Sequence, residues 1–176
     1  MHHVIVIGAG PAGLSAAITA ADKGLSVLLL AKEFSPKILQ KSQSDLASLD
    51  LREKFKAARQ RHPQTLEALF GTEALTLEKN VVSFSVENSL GRLYYSKAVI
   101  ICSGKGQAGE GNTAFDLLTF KDPAGRIKTD SQMATNVPGV FAAGSVTASP
   151  VADFLVCMGE GGRAAWSAFG YIRRQA

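Results

Sequence analysis

The hexapeptide Gly8-Ala9-Gly10-Pro11-Ala12-Gly13 constrains what this chain can fold into more than any other segment. It follows Val4-Ile5-Val6-Ile7, a run of β-branched residues that reads as a strand buried on both faces of a parallel sheet. Residues 14–23 then read as a helix stopped by Gly24, and residues 26–30 as a second buried strand. The three segments make a β-α-β unit of about 30 residues. In that setting each glycine does something physical. Gly8 permits the tight turn, Gly10 lets a pyrophosphate approach the backbone, and Gly13 allows close helix-to-strand packing. The helix N-terminus adds unpaired N–H donors and about half a positive charge. The expected ligand is an anionic dinucleotide, and the strand-turn-helix context argues against a purely structural glycine turn.

The fingerprint by itself does not separate FAD from a pyridine nucleotide. A carboxylate for the adenosine ribose normally stands ~20 residues past the glycines, at the end of the second strand. Here that position is Ala31, followed by Lys32 and Glu33. Glu33 is the candidate to reach the ribose. Lys32 is either a phosphate contact, as in NADP sites, or a solvated surface charge.

Further along, residues 44–61 mix polar and apolar side chains at helical spacing, and residues 65–70 read as a short helix closed by Gly71. Residues 73–96 have the short β-rich stretches of an antiparallel meander, and residues 98–102 form another buried strand. Residues 104–112 hold four glycines in nine positions and read as an exposed, mobile loop, the one linker candidate. Residues 126–130 and 140–143 read as strands flanking a Pro138-Gly139 turn, and residues 155–173 as a long closing helix. The fold class is therefore α/β: a Rossmann-like fold with a central parallel sheet and a small antiparallel β-meander. A length of 176 residues at 46% hydrophobic content supports one core, so residues 1–176 are expected to form a single domain.

Several functions are disfavoured. The net charge of +4 is dispersed, with no polybasic tract for nucleic acid. The longest apolar runs fall far short of the ~20 residues of a membrane span, and Met1-His2-His3 opens no signal-peptide pattern. Cys102 and Cys157 lack disulfide or metal spacing and suit a reducing, cytoplasmic setting. They read as buried side chains in preference to reactive thiols. His62 has no evident partner to make it a base, and His2 and His3 are expected to fray. Trp166, Phe169 and Tyr171 read as core or interface residues.

Later motifs separate the cofactors. Gly125-Arg126-Ile127-Lys128-Thr129-Asp130, then Thr135-Asn136-Val137-Pro138-Gly139-Val140-Phe141-Ala142-Ala143-Gly144, resemble the flavin-binding segment of thioredoxin-reductase-type disulfide oxidoreductases. Val99-Ile100-Ile101-Cys102-Ser103-Gly104 resembles that family's strand ending in Ala-Thr-Gly, and Gly159-Glu160-Gly161-Gly162-Arg163-Ala164-Ala165 resembles its final helix. The motifs fall in family order across nearly the whole chain. The resemblance implies FAD as cofactor, with Cys102, Ser103, Gly104, Gly144 and Ser145 joining residues 8–13 and 31–33 around it. It also implies that Asp153 and Phe154 lie at the flavin N1/C2 edge, unless Asp153 turns back to cap its own helix, which is the favoured reading.

The departures from the family matter as well. Ser145 stands where the family has an aspartate on the ribityl chain. Only 22 residues separate Gly104 from Ile127, too few for the inserted pyridine-nucleotide domain of ~100 residues. The resemblance is therefore to small relatives made of the FAD domain alone, with electrons from a partner protein, a small molecule or NAD(P)H bound in another way. Family relatives are commonly homodimers. The alternative is a non-catalytic nucleotide-binding module or one half of a split enzyme, with NAD(P) in the site as a further reading.

Overall fold

The computed structural model describes residues 1–35, 45–104, 119–151 and 153–175. Strand β1 (His2–Ala9) leads into helix α1 (Pro11–Asp22), followed by β2 (Val27–Phe34), α2 (Asp45–Arg61) and β3 (Leu66–Leu69). Then come β4 (Ala74–Lys79), β5 (Phe84–Asn88), β6 (Leu93–Ile101), β7 (Val140–Ala142) and the closing helix α3 (Phe154–Arg173). One seven-stranded sheet runs in the order β3-β2-β1-β6-β5-β4, with β7 also on β6. β1, β2, β3, β6 and β7 are parallel, while β4-β5-β6 is the antiparallel meander.

The all-apolar reading of β1 is explained by its two faces. Val4 and Val6 enter one hydrophobic cluster with α1, α2 and α3, while Ile5 and Ile7 enter a second with Leu77, Phe84 and Val86 of the meander. The parallel sheet is thus covered by helices on one side and by strands on the other, so alternation disappears from its sequence. Between α1 and α3 the contact is made by small residues: Ala12, Ala16, Ala164, Ala165 and Ala168 are all buried. Gly161 lies directly on the Ala12 backbone.

Four local expectations are corrected. Residues 65–70 form no helix; Leu66–Leu69 is an edge strand paired parallel to β2, with Leu30 opposite Leu69. Once β1 occupies one side of β2, the backbone groups on its other side need partners, and this segment supplies them. Residues 126–130 form only isolated bridges, from Ile127 to Lys121 and to Thr147. The flanking chain instead winds around Asp122, which accepts from the Ala124 and Arg126 N–H groups and grips the Arg126 guanidinium at 2.7 Å. His2 and His3 do not fray, because β1 starts at His2 and the His3 Nδ1 lies 2.8 Å from Ser26 Oγ. His62 has a partner in Asp22, 2.9 Å from its Nε2, which ties the end of α1 to the end of α2. Most of the glycine-rich loop read at 104–112, from 105 onward, lies outside the described residues.

Candidate functional site

The C-terminal ends of β1, β2, β6 and β7 border a cleft of about 350 Å³. This is where open α/β sheets bind ligands, because the order of the strands reverses there and leaves a crevice outside their carboxyl ends. Thirteen of the sixteen candidate residues line it: residues 8–12, Ala31, Lys32, Glu33, Cys102, Ser103, Gly104, Gly144 and Ser145. Gly13, Asp153 and Phe154 do not.

The three fingerprint glycines have separable roles. Gly8 has φ +104°, and a Cβ there would fall on the Cys102 carbonyl oxygen. A Cβ on Gly13 would fall on the Gly8 carbonyl oxygen, so this glycine holds the first turn of α1 against β1 from behind the cleft. Gly10 differs, because among the described residues only Ser35 Cβ, at 3.7 Å, comes within reach of an added Cβ. The space above Gly10 is open. As the N-cap of α1 it has no side chain to offer, Pro11 fills the first helical position, and the first turn carries no acidic residue. No described side chain therefore competes with an incoming anion for the first-turn N–H groups.

At the end of β2, Ala31 is buried, while Lys32 and Glu33 are exposed. Lys32 Nζ lies 3.4 Å from Glu73 Oε1, so its charge already has a carboxylate beside it. Ala31, Lys32 and Glu33 all line the cleft, so the acidic residue at this edge stands two positions beyond the usual one. A register irregularity between Ile7 and Ala9, where Ala9 comes opposite Phe34, accompanies this extension of β2.

On the other side, Gly144 has φ +82°, and a Cβ there would approach Ala12 Cβ at 2.9 Å. Its N–H donates to Glu160 Oε2 at 2.8 Å, and its carbonyl accepts from Thr147 Oγ1 at 2.8 Å. The Gly144-Ser145 loop is thus clamped from α3, with half-buried Ser145 in the cleft. Burial raises the Cys102 thiol well above its ordinary range, and nearby Cys157 and Glu160 add to the effect against the opposing Ala143 N–H. Cys102 is accordingly a protonated wall of the cleft and no nucleophile.

Asp153 caps α3: its Oδ1 accepts from Leu155 N–H at 2.8 Å and Val156 N–H at 3.1 Å. Two of the N–H groups at the head of α3 are therefore satisfied by the chain's own carboxylate. Phe154 packs half-buried against the helix-side core. Seven lining residues stand outside the candidate set, Ile7, Leu30, Ser35, Glu73, Ala74, Ala143 and Cys157, and sequence reasoning also missed Glu160 as the clamp. Glu160 stood inside a quoted motif, but nothing in its spacing announces a bond to Gly144. Among the described residues, no cluster of three or more His, Cys, Asp or Glu gathers to hold a metal, and no helix is long and apolar enough to cross a membrane.

A parallel sheet with a glycine turn opening on a cleft at its carboxyl end defines a dinucleotide-binding protein of Rossmann type. The family described as FAD binding domain matches residues 3–105. The chain belongs to that family, and FAD is its cofactor. Thioredoxin reductase of Listeria innocua is 42% identical over 59 residues, 34% of this chain and 18% of that protein. One alkyl hydroperoxide reductase polypeptide of Escherichia coli is 30% identical over 179 residues, 97% of this chain and 31% of that protein. Among solved structures, thioredoxin reductase from Streptococcus pyogenes superposes with a TM-score of 0.82 at 14% identity, over 99% of each chain. A ferredoxin-flavin thioredoxin reductase from Clostridium acetobutylicum gives 0.75 at 18% identity, over 99% of this chain and 98% of that one. This chain is thus a thioredoxin-reductase-related flavoprotein, and it spans less than a third of the curated relatives it matches.

Proposed function

We propose that residues 1–176 act as a single-domain, FAD-dependent oxidoreductase whose electrons come from a partner protein or a small molecule. The observation that carries this reading is Gly10, which opens the head of α1 to the cleft with no described side chain in the way. Bound FAD supplies the two-electron chemistry, and the protein supplies binding and orientation. On this reading the pyrophosphate lies on the residue 8–13 turn, Glu33 holds the adenosine ribose and Ser145 the ribityl chain. The 22 residues between Gly104 and Ile127 leave no room for an inserted nucleotide domain, which favours an external electron source.

Two substitutions test the residue roles. Glu33→Gln exchanges a charge-assisted hydrogen bond for a neutral one and is expected to weaken FAD about tenfold. Ser145→Asp makes the opposite exchange and is expected to tighten FAD by up to about tenfold, reduced by repulsion from Glu160. Fluorescence titration of the FAD-stripped proteins measures both. Unchanged affinity in either variant removes that residue from the site.

The function itself is tested by anaerobic reduction of the FAD-loaded protein with reduced ferredoxin, a dithiol, NADH and NADPH. Fast bleaching by ferredoxin or the dithiol, with slow bleaching by NADH and NADPH, is the expected result. Slow bleaching by every reductant supports the second reading, a non-catalytic module or half of a split enzyme. That reading is favoured by Ser145 and by the self-capped head of α3. Exposed Leu155 and half-exposed Trp166 on α3 support a homodimer, checked by light scattering. Two cysteines outside any disulfide fit a cytoplasmic setting.

A further inference from the structure

We propose that a second pocket, away from the FAD cleft, binds an organic anion with a carboxylate or phosphate head and a short apolar body. The pocket forms where β6 changes partners. β5 pairs antiparallel with β6 as far as Ser96, and β7 pairs parallel from Val99. Between them, at Lys97, the two neighbouring strands diverge and leave a space of about 280 Å³ closed by the tip of the β4-β5 hairpin and the end of α3.

Its floor is rigid. Phe84 is buried, Tyr171 meets Phe141 edge-on at 6.3 Å, and the Tyr171 hydroxyl donates to the Pro138 carbonyl at 3.3 Å. Gly139, with φ +92°, lets both rings close in, since a Cβ there would stand 2.8 Å from Phe84 and 2.9 Å from Tyr171. The charged groups of the pocket are Lys79 and Lys97, and among the described residues no carboxylate lines it. Asn80, Ser83 and Gln175 add neutral polar groups. Two cations with no counter-charge among the described lining residues suit one ligand type, an anion. At the lip, Val81 is fully exposed and Val82 is 81% exposed, beside the same lysines. Covering two valines while pairing a lysine asks for an apolar body attached to the anionic head.

The test uses FAD-saturated protein, so that the probe does not enter the dinucleotide cleft, and follows backbone amide shifts by NMR. Hexyl phosphate and hexanoate are expected to give saturable shifts at Asn80, Ser83, Lys97 and Gln175. Hexyl phosphate is expected to bind at least about tenfold more tightly than inorganic phosphate. Lys97→Gln and, independently, Lys79→Gln at an exposed position are expected to weaken both probes about tenfold. Val82→Ser is expected to remove the advantage of hexyl phosphate. Absent or unsaturable shifts, equal binding of hexyl and inorganic phosphate, or unchanged binding in both lysine variants overturns the proposal. A response to phosphatidylglycerol vesicles without a response to hexyl phosphate overturns it too, and points to membrane contact.

Discussion

Gly13→Ala is expected to yield protein that is both less stable and devoid of FAD, whereas Gly10→Ala is expected to fold like the parent and lose only affinity. The two substitutions add the same methyl group three residues apart. At Gly13 the methyl would fall on the Gly8 carbonyl oxygen, a backbone atom that cannot rotate away, so α1 must lift from β1. Overpacking of this kind costs about 1–3 kcal/mol, and the better helix propensity of alanine returns at most about 1 kcal/mol of it. A lower Tm by several degrees follows for the FAD-free protein, about 2–4 °C per kcal/mol at this size. The same movement spoils the turn that faces the cleft, so FAD affinity should fall by at least about a hundredfold, nearly 3 kcal/mol.

At Gly10 the backbone is extended, with φ −88° and ψ −175°, which alanine adopts without strain. Its added methyl meets only Ser35 Cβ among the described residues, at an ordinary 3.7 Å. Stability should be unchanged, but the methyl occupies the space through which a pyrophosphate approaches the backbone, and affinity should fall at least about tenfold. Thermal melts of FAD-free protein and flavin titrations separate the two effects. A Gly10→Ala variant that binds FAD like the parent would show that the pyrophosphate does not lie on this turn.

The same geometry explains what could be read from the sequence. The glycine turn is legible because its pattern is local, one strand, one turn and one helix within 22 residues, although the atom that excludes a Cβ at Gly8 comes from distant Cys102. The parallel core was legible because β1, β2 and the second half of β6 carry unbroken apolar runs. By contrast, β3 has only four residues, too few to display a period, and its pairing is decided by the open side of β2. The residue pattern ends the meander before residue 98, yet β6 runs unbroken from Leu93 to Ile101 and belongs to both systems. A switch of partner along one strand leaves no mark on residue type. The cleft shows the same division. Residues 8–13 and 31–33 follow from the β-α-β unit alone, and Ser145 entered through resemblance. Glu73 and Glu160 reach the site through contacts between elements distant in sequence, which spacing cannot register.

The second large effect is expected at the helix contact behind the cleft. Gly161→Ala would place a methyl on the Ala12 carbonyl oxygen and 2.8 Å from Ala12 Cα, at the point where α3 crosses the first turn of α1. Neither helix can yield locally, because Ala164, Ala165 and Ala168 continue the contact with no exposed surface. The helices must separate along their shared face, at a cost of about 3 kcal/mol and a Tm lower by about 6–12 °C. Because Ala12 lines the cleft and the same helix clamps Gly144 through Glu160, the separation should also weaken FAD. Gly159→Ala is the control on the same helix. Gly159 is exposed and an added Cβ meets nothing described within 4 Å, so alanine should raise stability by about 0.5–1 kcal/mol through helix propensity alone. Opposite shifts from one methyl two residues apart would show that close approach, and not helix propensity, demands the glycine at 161. Parallel shifts in the two variants would mean that α3 does not press on the Ala12 backbone, and that the clamp on Gly144 acts independently of the helix pair.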